Sequence, residues 1–369
     1  MTKRTLGVSL YPDHSNLNED KDYLKLASKY GFSRIFMSML EVSEGKEKVA
    51  AKFSELISFA KELGFSTTLD IAPNIFDQLG ISYDDLSFFH DLGADSIRLD
   101  QGFDGQKEAL LSFNPQNMNI ELNMSNDVAY LNNILSYSAN KPFIQGCHNF
   151  YPQRGTGLPL NFFESASKRF KQQGIDTAAF ITSQSGKIGP WDINDGLPTL
   201  EMHRDLPVEV QAKHLFATNL IDCVIIGNAY ASEDELKRLG AINRYQLTFN
   251  VSLTKDINDV EKEILLNNQH VRRGDITDLV IRSTEVRKKY KNDENPVSGT
   301  HEFKRGDVVI GNDNFGKYKN ELQVVLQDHI DDRKNKVAEI KEAELFLLDY
   351  VGPWDKFKFE EWFFWRWFI

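Results

Sequence analysis

The first 240 or so residues repeat one pattern, in which an amphipathic stretch closes on a glycine and a short apolar run follows. The joins read Tyr30-Gly31-Phe32, Leu63-Gly64-Phe65, Leu92-Gly93-Ala94 and Gln173-Gly174-Ile175. Glycine suits these places because it takes the left-handed conformation without a Cβ penalty and so ends a helix. The apolar runs predict eight strands, near 5–10, 33–39, 65–70, 95–100, 118–123, 142–147, 177–182 and 222–227, with helices between them, for example 47–63 and 126–139. Strand, helix and strand at this spacing imply parallel strands joined by right-handed crossovers. Eight such units predict a (β/α)8 TIM barrel, an α/β fold. The rival is an open doubly wound sheet, which would carry a glycine-rich phosphate turn after its first strand. Tyr11-Pro12-Asp13-His14 stands there instead.

The pattern changes after residue 244. Tyr245–Val251, Asp278–Ser283, Asp307–Gly311, Glu321–Gln327, Lys336–Ile340 and Leu345–Tyr350 alternate or run β-rich, and only 256–266 reads as helix. A small, mostly β domain closing into a barrel is expected. The expected division is 1–243, 244–360 and an atypical aromatic tail, 361–369, which ends Trp362-Phe363-Phe364-Trp365-Arg366-Trp367-Phe368-Ile369 and is assigned no function.

Charge and composition narrow the function classes. A net charge of −11 argues against nucleic acid or an anionic membrane as partner. No segment approaches the ~18 apolar residues of a spanning helix. The basic N-terminus lacks the apolar core of a signal peptide. Cys147 and Cys223 fall inside predicted strands and suit reduced, buried thiols. A cytoplasmic enzyme without cofactor is the expectation.

Candidate chemistry gathers where an α/β barrel keeps it, at the C-terminal ends of the strands. Alternate residues of a strand share a face, which pairs Arg98 with Asp100 and Glu121 with Asn123. Asp70 ends the third strand, Ser9 and Tyr11 end the first, and Glu41 follows the second. The loop after the sixth strand, His148-Asn149-Phe150-Tyr151-Pro152 through Thr156-Gly157-Leu158, concentrates ring, amide and hydroxyl groups suited to a ligand wall. The loop after the seventh holds Glu201, His203 and Arg204, the last a fork for carboxylate or phosphate. Each acid has a structural alternative: Asp100 could pair only with Arg98, and Asp70 could cap a turn. Together they are what glycoside hydrolysis needs, one carboxyl protonating the leaving oxygen and the other attacking or activating water. His148 and His203 show no metal-ligand spacing, and no metal is expected. In the second domain Arg272 and Arg282 are candidate anion contacts, with internal pairing to Asp275 and Glu321 as the alternative.

These motifs taken in order resemble the 6-phospho-N-acetylmuramidase (MupG-like) family. The resemblance rests on Tyr11-Pro12, Arg98-Leu99-Asp100-x-Gly102-Phe103, Glu121-Leu122-Asn123-x-Ser125, the His148 to Leu158 loop and Gly196-Leu197-Pro198-Thr199-Leu200-Glu201-x-His203-Arg204. It continues through Arg272-x-x-Asp275, Ile281-Arg282-Ser283, Arg305-Gly306-Asp307 and Asn312-x-x-Phe315-Gly316-x-Tyr318-x-x-Glu321-Leu322-Gln323. It implies a TIM barrel followed by a cyclophilin-like β domain. It also implies an exo-glycosidase of cell-wall recycling that cleaves MurNAc-6-phosphate–GlcNAc, a small phosphorylated amino-sugar disaccharide. Asp100 and Glu121 are then the favoured catalytic pair, with Asp70 and Glu201 as competitors. Tyr11, Arg98, Asn123, His148, Asn149, Tyr151, Thr156, Gly157, His203, Arg204, Arg272 and Arg282 are candidate substrate contacts. Met124 stands where the pattern has a small residue, which would alter the pocket's shape. The alternatives kept open are another sugar-phosphate barrel enzyme, an isomerase or lyase, and a non-catalytic sugar-phosphate-binding protein.

Overall fold

The computed structural model describes residues 3–39, 46–72, 75–76, 78, 80–82, 85–126 and 129–362. The chain forms two compact units, Met1–Ile242 and Asn243–Ile369. In the first, β1 (Thr5–Leu10), β2 (Arg34–Met39), β3 (Ser66–Ile71), β4 (Ser96–Leu99), β5 (Asn119–Asn123), β6 (Ile144–Cys147), β7 (Asp176–Ile181) and β8 (Cys223–Ile226) close a parallel barrel in sequence order. The outward faces carry Leu6, Val8, Leu10, Ile35, Met37, Leu69, Ile97, Ile120 and Val224, which pack with Leu24, Phe53, Phe89, Phe163 and Leu215 of the helices in one buried cluster. Removing this much apolar surface from water is what holds the helices to the strands.

The strands start and stop within about two residues of the places the apolar runs predict. The sixth differs at its start: Lys141–Phe143 forms a 3-10 turn and β6 begins at Ile144. Pro142 has no N–H to give a ladder, so the strand opens after it. The helix expected over 126–139 covers Tyr130–Ser136. Glu41 lies outside the described residues. Met124 corrects its expectation. It is buried in the outer cluster, and its sulfur presses on Gly146 of β6, where an added Cβ would come within 2.7 Å of it. Its bulk is taken up between strand and helix rather than in the barrel.

The second unit is a mixed, nearly closed seven-stranded sheet. Its strands are β9 (Leu247–Leu253), β10 (His270–Val271), β11 (Val280–Ser283), β13 (Asp307–Gly311), β14 (Leu322–Val325), β16 (Lys334–Ile340) and β17 (Lys356–Glu361), in the order β10-β17-β9-β16-β13-β14-β11. A separate ribbon pairs β12 (Glu302–Phe303) with β15 (His329–Ile330). Two expectations change here. Leu345–Tyr350 is 3-10 helical, within Glu342–Tyr350, where Glu344, Leu347 and Leu348 are buried and Glu344 accepts from Asn250 N at 2.7 Å. The tail's first residue, Glu361, closes β17, which runs parallel to β9 with Phe357 and Phe359 buried. Residues 363–369 of the tail lie outside the described residues.

Candidate active site

The inside of the barrel has two halves. Phe36, Cys147, Ala178, Phe180, Cys223 and Ile225 form an interior apolar cluster, which accounts for both thiols as buried and unbridged. Against it stands a polar half from β2 to β5. Deepest is an ion pair across the barrel between Arg34 of β2 and Glu121 of β5, both buried. Arg34 also donates to Thr68 Oγ1 at 3.1 Å, and Thr68 and Ser96 share a 2.6 Å hydroxyl contact. Strand alternation then lifts the next inward residues toward the C-terminal end: Asp70 two after Thr68, Arg98 two after Ser96 and Asn123 two after Glu121.

There Arg98 organises the mouth. Its Nη1 donates to Asp70 Oδ1 at 2.5 Å and to Asp100 Oδ1 at 3.3 Å, and its Nη2 donates to Asn149 Oδ1. Two carboxylates on one nitrogen at these distances have their nearest oxygens no more than about 6 Å apart, close to the separation at a double-displacement glycosidase site. The two acids differ in environment. Asp70 is buried, while the Asp100 side chain is 34% exposed. Burial outweighs the neighbouring Arg98 and pushes the Asp70 carboxyl up to about 6, with Asp100 adding to the rise. Of the two acids at the mouth, one is thus buried with its pKa raised, and the other is partly exposed.

The loop after β6 is built to hold Asn149. His148 is buried, set between Ser125 Oγ at 3.1 Å and Ser167 Oγ at 2.8 Å, and its ring lies 4.6 Å from that of Phe163. Burial, with Arg98 nearby, pushes its imidazole down to about 3, so it is neutral. Ser125 in turn accepts from the Asn149 N–H at 2.8 Å, and the Ser125 N–H is held by Asn123 Oδ1 at 2.9 Å. His148 therefore acts on the mouth through Ser125, Asn123 both through Ser125 and by donating from Nδ2 to the Asp100 carbonyl at 3.4 Å, and Asn149 through Arg98. Tyr11 is buried at the end of β1 with its hydroxyl donated to the Gly227 carbonyl. Thr156 is exposed and donates to the Gln153 carbonyl at 2.6 Å.

Glu201, His203 and Arg204 are not brought to Asp70 and Asp100 by any hydrogen bond or ion pair among the described residues. Arg204 is buried and every guanidinium nitrogen is engaged. Nε and Nη2 clasp Glu201 at 2.8 and 2.6 Å, Nη1 meets the carbonyls of Tyr151, Asp195 and Gly196, and Nη2 meets that of Gln153. This corrects the expected phosphate fork: no N–H is left for a ligand, and the residue clamps the loops after β6 and β7 together. Glu201 also accepts from the N–H groups of Gly155 and Gly157, and with Arg204 these hold its carboxyl down at about 2. Gly157 is required because a Cβ would meet the Glu201 backbone N at 2.7 Å. His203 Nε2 contacts His214 Nδ1 at 2.7 Å, and burial keeps both imidazoles neutral. Arg204→Met is expected to cost about 3 kcal/mol of stability, since it takes a buried charged donor away from four carbonyls and the Glu201 carboxylate. Chemical denaturation would check this, and a loss below about 1 kcal/mol would rule out the clamp.

In the second unit Arg282 pairs with Glu321 at 2.8 Å, alongside Arg287 at 2.9 Å, and Asp275 pairs with Arg273. Internal pairing, the alternative reading, thus describes Arg282. Arg272 is buried with Nη1 on the Val351 carbonyl at 2.6 Å. Among the described residues no group of three or more His, Cys, Asp or Glu side chains is arranged to hold a metal.

Two family models match the chain, the N-terminal model of 6-phospho-N-acetylmuramidase over residues 6–241 and the C-terminal model over 247–360. The chain belongs to the 6-phospho-N-acetylmuramidase family. It is accordingly an enzyme of the glycosidase class. A crystal structure of an uncharacterized protein from B. cereus is 56% identical, with a TM-score of 0.92, the match covering 98% of this chain and 100% of that one. A conserved protein of unknown function from Enterococcus faecalis is 25% identical, with a TM-score of 0.72 over 97% of this chain and 96% of that one. No curated protein matches the sequence significantly.

Sequence reasoning passed over Arg34, which anchors Glu121 from a strand 87 residues earlier. Its signal was present: a cation at the start of an otherwise apolar strand, on the parity of Phe36 and Ser38.

Proposed function

We propose that this enzyme cleaves MurNAc-6-phosphate–GlcNAc to MurNAc-6-phosphate and GlcNAc in cytoplasmic cell-wall recycling, with Asp70 and Asp100 as its working carboxyls. The observation that carries the reading is the single Arg98 nitrogen bridging a buried acid and a partly exposed one, in a chain of this family. Asp70 gives its proton to the glycosidic oxygen while Asp100 attacks the anomeric carbon, forming a glycosyl-enzyme ester and releasing GlcNAc. Water then cleaves the ester and returns a proton to Asp70. Arg98 positions Asp100 by hydrogen bond, and Asn149 accepts from the other Arg98 nitrogen. Glu121, fully buried against Arg34, anchors the floor, and Glu201 serves the loop clamp.

The direct test is purified protein incubated with the phosphorylated disaccharide and its unphosphorylated twin, followed by mass spectrometry. Release of GlcNAc from the phosphorylated compound alone is expected, and cleavage of neither by folded protein would refute the reading. The pH dependence follows from Asp70. With its carboxyl at about 6 the donor is protonated below that pH and ionised above it, so kcat/KM is expected to fall as pH rises through about 6. The substrate's phosphate titrates in the same range. Carbon-13 NMR of the carboxyl signal that vanishes in Asp70→Asn therefore locates the titration without substrate, and a midpoint near 4 would remove Asp70 as the acid.

A further inference from the structure

The apolar half of the barrel does not stop at its rim. Phe36 and Phe180 meet edge to face with centroids 5.0 Å apart, and Phe150, from the loop after β6, stands on both at 5.9 and 5.0 Å. Trp191, from the loop after β7, continues the series with its ring 6.3 Å from that of Phe150. Unlike the rings below it, Trp191 is 46% exposed.

Ile193, two residues on, is 58% exposed as well, so the loop presents an apolar patch centred on a large indole. The loop is not loose, because both flanks are pinned. Ile188 exchanges backbone hydrogen bonds with Ala229 at 2.8 and 2.9 Å, and Leu197 N donates to Thr182 Oγ1 at 2.9 Å. Arg204 holds the carbonyls of Asp195 and Gly196 together with those of Tyr151 and Gln153, so one guanidinium fixes the loops that carry Trp191 and Phe150. The ring is presented on a rigid support.

We propose that Trp191, backed by Phe150, is the stacking platform for the uncharged leaving sugar, and so sets leaving-group specificity. The inference rests on the hydrolase reading above. A pyranose has an apolar C–H face that stacks on an aromatic ring, while its edges carry polar groups. The phosphorylated muramyl ring bears a phosphate and a lactyl carboxylate and belongs beside hydrogen-bond donors. GlcNAc bears no charge and can bury a face on indole at no cost in desolvated charge. The two-sided barrel provides both. Asp70, Arg98, Asp100 and Asn149 occupy the polar side, and Phe150, next in the chain to Asn149, opens the aromatic side. A glycosidic bond held at the acids thus has its leaving ring directed over the platform.

The test compares two substrates with the same phosphorylated muramyl group, one carrying GlcNAc and one carrying a methyl aglycone. Trp191→Ala is expected to lose roughly tenfold in kcat/KM on the first and nothing on the second. Trp191→Phe is expected to recover most of the loss, and thermal melts check that both variants fold. Equal losses on both substrates would place the indole under the phosphorylated ring and overturn the proposal, as would an Ala variant as active as wild type on the GlcNAc compound. Wild-type protein inactive on both substrates would instead refute the hydrolase reading itself.

Discussion

Asp100→Asn is expected to cut kcat on the phosphorylated disaccharide by about a thousandfold or more while leaving the fold intact. The side chain is one-third exposed, and Arg98 keeps Asp70 and Asn149 as partners when Asp100 loses its charge. An amide cannot form the glycosyl ester, so the loss falls on kcat rather than on binding. Asp70→Asn is expected to lose about a hundredfold to ten-thousandfold for a different reason, because the leaving oxygen then departs without its proton. An aryl leaving group needs no proton. It is therefore expected to restore the Asp70 variant and not the Asp100 variant. Restoration of the Asp100 variant instead would exchange the two roles, and wild-type turnover by both variants would remove the pair. An oxygen–oxygen separation of at most about 6 Å favours the retaining course. It leaves little room for a water between carboxylate and sugar, so proton NMR of the first-formed product should show retained configuration.

Arg34→Met is expected to destabilise the barrel by roughly 3–5 kcal/mol. Glu121 is fully buried, and its second oxygen has no hydrogen-bond partner, so Arg34 is its main compensation in a region that excludes water. Removing the guanidinium leaves an unpaired charge, which is far worse than removing the pair. The double variant Arg34→Met with Glu121→Leu is therefore expected to regain most of the loss. Calorimetry on the full chain would read both values. A single variant as stable as wild type would show that the pair is not the barrel's deep polar anchor and would return Glu121 to the front as a catalytic acid.

Local chemistry made the architecture readable in advance. Glycine at Gly31, Gly64, Gly93 and Gly174 takes positive φ at helix ends, a preference written in one residue, and the apolar runs that follow are strands because their burial on both faces needs no distant information. The same holds for strand parity, which put Arg98 with Asp100 and Glu121 with Asn123 before any contact was known. Where the local signal was ambiguous the reading failed: Leu345–Tyr350 is apolar enough for a strand, and only its packing, with Glu344 accepting from Asn250 N at 2.7 Å, makes it 3-10 helical.

By itself, then, the sequence determined which residues lie on the strands and at their ends, since that follows from periodicity. Only the tertiary structure decided what each of them does there. Glu121 and Asp100 look alike as letters, yet one is sealed against Arg34 from the far side of the barrel and the other is open to solvent. Arg204 has the form of an anion fork until four carbonyls and Glu201 fill it. Asp70 is an ordinary carboxylate until closure of the barrel buries it beside Arg98 and Asp100. Ionisation and hydrogen-bonding capacity depend on desolvation and on neighbours, and barrel closure supplies both from strands far apart in the chain.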